Sequence, residues 1–302
     1  MPTTYAHFQF GQDCLTKLPS EWIRSIDRRP SLYNFGVQGP DLLFYAKPWS
    51  KIIQNKLGGK IHDQPAMKMF EKFRRALEKH PRKEEEIMIY AFAMLSHFTL
   101  DSTCHPYIER KEEVSAVSHN LIESQYDGYL MRKNGVEDPS TYPRAYLIDP
   151  NREDARTIGV IYGLPPDEIY SCMEGQAKIL RVFSTSGPGR RKLVRGFLGM
   201  VSPKSALKDL FVDREEDPAC ADSNLRLDKL RALALDRYGE LVPLLEAYLL
   251  EGRPLSDYFQ RTFGPSENYR SIPVLSLEEE RNYQPSQEEA RGLGSQGPGH
   301  PH

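Results

Sequence analysis

The chain has 302 residues, with 40 Lys and Arg against 42 Asp and Glu, for a formal net charge of −2. Hydrophobic residues make up 39%, enough to fill a sizeable core. The near-neutral balance excludes a strong basic field for wrapping nucleic acid, and the four scattered cysteines (Cys14, Cys104, Cys172, Cys220) exclude a disulfide framework or a zinc ribbon.

In chain order, a short helix is expected over residues 4–18. Residues 20–63 carry turn signals at Arg29-Pro30, Gly39-Pro40, Lys47-Pro48 and Gly58-Gly59 and read as loop with short helices. Over 66–79, Met67, Phe70, Phe73 and Leu77 form an apolar stripe at spacings of three and four, the mark of an amphipathic helix. A long apolar helix follows over 84–104, opened by three glutamates that suit its positive N-terminal end. It is expected to end at His105, because Pro106 biases the residue before it away from helical geometry.

Another helix is expected over 112–132, closed by Asn134-Gly135. A loop over 136–150 leads to helices over 152–163, 166–183 and 190–200. A strong helix over 222–251 should be kinked or divided by Pro243. From about residue 266 the apolar period is lost, and an irregular, disordered tail is expected. No run shows the strict alternation of a strand, so the fold class is all-α. The N-terminus lacks a secretory pattern, and the apolar run 87–95 is too short to span a bilayer, so a cytoplasmic location with no transmembrane segment is expected.

Of the eight histidines, five lie in apolar or glycine-marked segments with a carboxylate close by: His7, His62, His97, His105 and His119. His97 and Asp101 are four residues apart, and so are His119 and Glu123. That spacing stacks two side chains on one helix face, within reach of one ion. A lone histidine on an apolar helix is more often a hydrogen-bonded core residue than a ligand. Two such pairs joined by His105 are harder to dismiss, because Asp101 sits on a helix where an unpaired carboxylate would be costly to bury. Zinc, which takes imidazole nitrogen and carboxylate oxygen, would neutralise it.

These residues resemble the zinc-dependent phospholipase C family and, more distantly, the S1/P1 nucleases of the same fold. The resemblance runs through His7, the G-P-D of Asp41, the K-I-H of His62, H-F-T-L-D (His97, Asp101), His105-Pro106 and H-N-L-I-E (His119, Glu123), over roughly residues 1–135. It implies a multi-helix bundle holding a trinuclear zinc cluster. One ion would take Asp41, His62, His97 and Asp101, and a second His105, His119 and Glu123. A third would share Asp101 and add His7. In the family, that third ion is completed by an N-terminal tryptophan. Here the only tryptophans are Trp22 and Trp49, so either the terminus at Met1 or Pro2 replaces it or the site is weak or water-completed.

The resemblance further implies a phosphodiester hydrolase in which Asp101 bridges two ions and Asp41 serves as general base. The expected division is a catalytic domain over 1–204, a packed helical extension over 205–265 with no legible chemistry, and the tail. Tyr5, Phe8, Phe44, Tyr45, Tyr107 and Tyr126 are candidates for a substrate pocket or, more plainly, for core packing. The expected partner is a phosphoester or phospholipid headgroup rather than a long nucleic acid. The alternatives are a degenerate zinc-binding member of the family, a nuclease, or an HD-type phosphohydrolase built on His62-Asp63.

Overall fold

The computed structural model describes residues 4–45, 53–184, 207–265 and 268–286, with isolated positions at 189, 192–194 and 196. Among the described residues the chain is all helical, with no strand. The α-helices are α1 (Thr4–Cys14), α2 (Ser20–Arg28), α3 (Pro30–Gly36), α4 (Ile53–His62), α5 (Met67–Lys79), α6 (Glu84–Val114), α7 (His119–Lys133), α8 (Arg152–Tyr162), α9 (Pro166–Phe183), α10 (Ala221–Glu251) and α11 (Leu277–Asn282). A tight 3-10 segment, Gly39–Tyr45, leads out of α3.

Helix α6 is the axis of the molecule, with α1, α3, α5, α7, α8 and α10 packed against it. Every residue from Ile87 to Ile108 is buried, as expected of a helix that is apolar on all sides. Its first turn, Glu84 to Glu86, complements the helix dipole and is tied to the end of α2 by Arg28–Glu85 and Arg29–Glu86 pairs. No helix among the described residues is long and apolar enough to cross a membrane.

Three boundaries differ from the sequence expectation. Helix α6 does not stop at His105 but runs through Pro106 to Val114. A proline removes the amide that would bond the carbonyl four residues back, here that of Ser102. Arg261 Nη2 donates to that oxygen at 2.7 Å, so the missing bond is replaced from outside the helix. Helix α7 begins at His119 rather than at residue 112, because Ser115 turns extended and Ser118 caps the new helix by accepting from the Leu121 amide. Helix α10 runs undivided through Pro243, its buried face continuing from Leu241 and Val242 to Leu245 and Leu249.

Within the stretch expected to be irregular, α11 opens with a capping box in which Ser276 and Glu279 satisfy each other's backbone amides. Glu280 of this helix is fully buried and pairs with Arg226 of α10 through contacts of 3.1 and 2.6 Å. The Arg226 guanidinium lies between the rings of Tyr107 (4.9 Å) and Tyr283 (4.2 Å). The expected tail over 287–302, most of the expected helix over 190–200 and the amino-terminal positions Met1 and Pro2 lie outside the described residues.

Candidate metal centre

The eight residues singled out in the sequence converge from five elements. Helix α6 supplies His97, Asp101 and His105 at one-turn intervals, so all three share the face turned toward α1, α4 and α7. His105 stays in this series because α6 continues through Pro106. Helix α1 brings His7, the last residue of α4 brings His62, the 3-10 segment brings Asp41, and the first two turns of α7 bring His119 and Glu123.

Three groups form within this convergence: His7, His97 and Asp101; Asp41, His62 and His97; and His105, His119 and Glu123, each with ligand atoms within 4.8 Å of one another. Each group could hold a metal ion. Asp101 is the hub. Its Oδ1 lies 3.2 Å from His7 Nε2, and its Oδ2 lies 3.1 Å from His97 Nε2 and 3.8 Å from both His62 Nε2 and His105 Nδ1. On the other side, Glu123 Oε1 lies 3.2 Å from His119 Nε2 and 3.4 Å from His105 Nε2. The ion-pair partners recorded for Asp41 and Asp101 among the described residues are all imidazoles.

The backbone fixes how three rings face the centre. Nδ1 of His97 lies 3.2 Å from the Val37 carbonyl, Nδ1 of His62 lies 2.8 Å from that of Gly58, and Nδ1 of His105 lies 2.7 Å from that of Phe263. A carbonyl only accepts, so each Nδ1 carries a proton, and Nε2 is left as the atom that would meet an ion. This is the outer-sphere arrangement that orients ligating histidines.

The consequence is clearest at His97. Burial holds this ring below the ordinary imidazole value despite the opposing pull of Asp101, so it is neutral. Its Nε2 lone pair then faces a carboxylate oxygen at 3.1 Å, with no hydrogen bond for that nitrogen. Asp41 Oδ1 and His62 Nε2 also stand at 3.1 Å, where a proton on the ring or a bound cation would lie between them. At His97 the two lone pairs repel unless a cation lies between them. The donor set of imidazole nitrogens and carboxylate oxygens suits a divalent transition metal.

Without an ion, protons must hold this charge. Burial opposes protonation of His7, but the Asp101 charge outweighs it and raises the ring. His62 is raised against burial by its contact with Asp41. His119 is also opposed by burial, yet the Glu123 charge and contacts to Glu109 and Glu123 bring it to about 10. Asp41 works in the opposite sense, since contact with His62 overcomes burial and lowers it to about 2.

Several supports were not legible as site residues. Gly39 has φ +56°, and a Cβ there would run into the His97 ring, so both backbone sign and space demand glycine. Asp127, one turn beyond Glu123 on α7, accepts from the Ala6 amide at 2.8 Å and the Tyr5 amide at 3.3 Å, which docks the start of α1 and thereby places His7. Glu112 accepts from the His119 amide at 2.9 Å. Phe263 and Arg261 come from the extension expected to carry no chemistry.

Beside the candidate ligands lies a cleft of about 330 Å³, including its open mouth, walled by Leu100, Ile108, Tyr126 and Leu227 and reaching His7, Asp101, His105 and Glu123. The buried hydroxyl of Tyr126 has no hydrogen-bond partner there. Of the other aromatic candidates, Phe44 approaches His62 at 5.6 Å, whereas Tyr107 is core beneath Arg226. Asp63 is exposed and joins none of the candidate ligand groups, which leaves the HD-type alternative without its aspartate.

The chain matches no family model, no curated protein and no solved structure.

Proposed function

We propose that this chain is a zinc-dependent phosphoester hydrolase of the phospholipase C type. The observation that carries the reading is the set of inward-facing ring nitrogens around Asp101, held by backbone carbonyls in a buried, metal-shaped arrangement. Zinc bound there would supply Lewis acidity toward a phosphoryl oxygen and a nucleophilic water at neutral pH. The sequence resemblance gives the reaction class, and the nearly neutral net charge favours a small phosphoester over a polynucleotide.

The chain's own residues divide the work. Asp101, touching both His7 and His97, sets the spacing between neighbouring groups. His105, His119 and Glu123 form the second group, facing it across the cleft. Asp41 is the proton acceptor. Without an ion, contact with His62 holds it down at about 2 against burial, and a bound cation would keep it ionised as well, so the oxygen left off the metal would be the one to take the proton. The apolar wall of Leu100, Ile108 and Leu227 keeps bulk water from one side and leaves the Tyr126 hydroxyl to meet a polar atom of the substrate.

The experiment is hydrolysis of bis-p-nitrophenyl phosphate and p-nitrophenylphosphorylcholine by the zinc-loaded protein. Turnover lost with a chelator and restored by zinc supports the reading. Bound zinc with no turnover across a phosphoester panel overturns it in favour of a non-catalytic zinc protein.

A further inference from the structure

We propose that Arg261 is a positioning residue for the metal ligand His105: it replaces the hydrogen bond that Pro106 removes from α6 and anchors the carbonyl that orients the His105 ring. This inference rests on the metal-centre reading of the site. Three observations converge on it.

The first is the helix itself. Pro106 has no amide to give the Ser102 carbonyl, and its ring crowds that carbonyl outward. The oxygen is met at 2.7 Å by Arg261 Nη2, from a segment 159 residues away in the chain. A charged donor makes a stronger bond than the amide it replaces. The second is the ring. Two residues beyond Arg261, the Phe263 carbonyl lies 2.7 Å from His105 Nδ1, leaving Nε2 for the group shared with His119 and Glu123.

The third is the anchoring of the segment on the opposite group. The Arg261 carbonyl accepts from the Ala66 amide at 2.8 Å, four residues past His62. The Phe263 ring is fully buried at 5.6 Å from His62 and 5.9 Å from His97. The guanidinium also lies 5.1 Å over the ring of Tyr258, whose hydroxyl is 3.1 Å from Ser102 Oγ. Residues 258–263 therefore brace both ligand groups, and Arg261 is the joint between them. A proline beside a metal ligand is tolerated because this arginine is present.

The pairing of a proline with its distant replacement donor gives a specific test. Pro106→Ala returns an amide to the Ser102 carbonyl, so the loss of Arg261 should cost less in that background, where only its hold on the Phe263 segment is removed. Zinc and cobalt titrations are made on the full chain as wild type, Arg261→Ala, Arg261→Lys, Pro106→Ala and the Pro106→Ala/Arg261→Ala double variant, with thermal midpoints of the metal-free forms. Arg261→Ala is expected to weaken one bound ion about tenfold or more, as loss of an outer-sphere partner does. Arg261→Lys should keep most of the affinity, and the double variant should recover toward Pro106→Ala alone.

No loss in Arg261→Ala, or an equal loss in both backgrounds, overturns the proposal. If the wild type takes up neither metal, the metal-centre reading fails separately. The joint is then decided by the thermal midpoints: a larger fall in the wild-type background than in Pro106→Ala supports it, and an equal fall in both contradicts it. Should Arg261→Ala not fold, the lysine and double variants give the same comparison.

Discussion

His97 Nε2 and Asp101 Oδ2 face each other at 3.1 Å across one turn of α6, yet the nitrogen has no hydrogen bond and is closed to solvent. The Val37 carbonyl opposite His97 Nδ1 leaves the ring in the tautomer that points a lone pair at the carboxylate. Asp101→Asn keeps the shape and removes the charge. It should lower zinc affinity by more than the roughly 10- to 100-fold that outer-sphere substitutions cost, and remove activity with it. Full zinc occupancy in this variant, measured by elemental analysis, would contradict the role given to Asp101.

Metal uptake should release protons. His7 and His62 are raised by neighbouring carboxylates, and His119 is brought to about 10, so at neutral pH the metal-free centre holds protons that an ion must displace. The sign follows directly: affinity falls as pH drops below these raised values and rises as pH climbs toward about 10. Calorimetric titrations with zinc in two buffers of different ionisation heat check this. Heats that do not depend on the buffer would contradict it.

Gly39→Ala tests how the backbone makes room for the centre. Its left-handed φ of +56° and the contact its Cβ would make with His97 act together. A loss of about 1–3 kcal/mol in stability is expected from the backbone alone, accompanied by weaker metal binding because the ring must move. Urea unfolding of the metal-free form and zinc titration measure the two effects separately.

The sequence displayed the candidate ligands but not their supports, for a physical reason. Spacings of four residues declare a shared helix face, so His97 with Asp101 and His119 with Glu123 were readable before any coordinates. Helical periodicity without strand alternation also made the all-helical class legible. A carbonyl, in contrast, belongs to every residue, so nothing marked Val37, Gly58 or Phe263 as partners of ring nitrogens. The rule that a proline ends a helix failed at Pro106 because its compensation, Arg261, lies on a distant segment. Asp127 had the same obscurity: its partners are amides of a helix 121 residues away.

The buried pair of Arg226 and Glu280 secures α11 to α10 and carries no chemistry at the centre. Glu280→Ala removes a carboxylate paired with a buried guanidinium, so stability should fall by about 3–5 kcal/mol. Metal stoichiometry in the folded fraction should be unchanged. A thermal midpoint equal to the wild type would show that the pair contributes nothing to holding the C-terminal helix.

The central claim is that the groups around Asp101 and Glu123 hold metal, and it is tested most directly by elemental analysis of untagged protein purified without chelators. The account predicts at least two zinc equivalents per chain, one lost in His119→Ala and further loss in Asp101→Asn. Protein that is folded and monodisperse but carries no transition metal, and takes none up on addition of zinc, would contradict it.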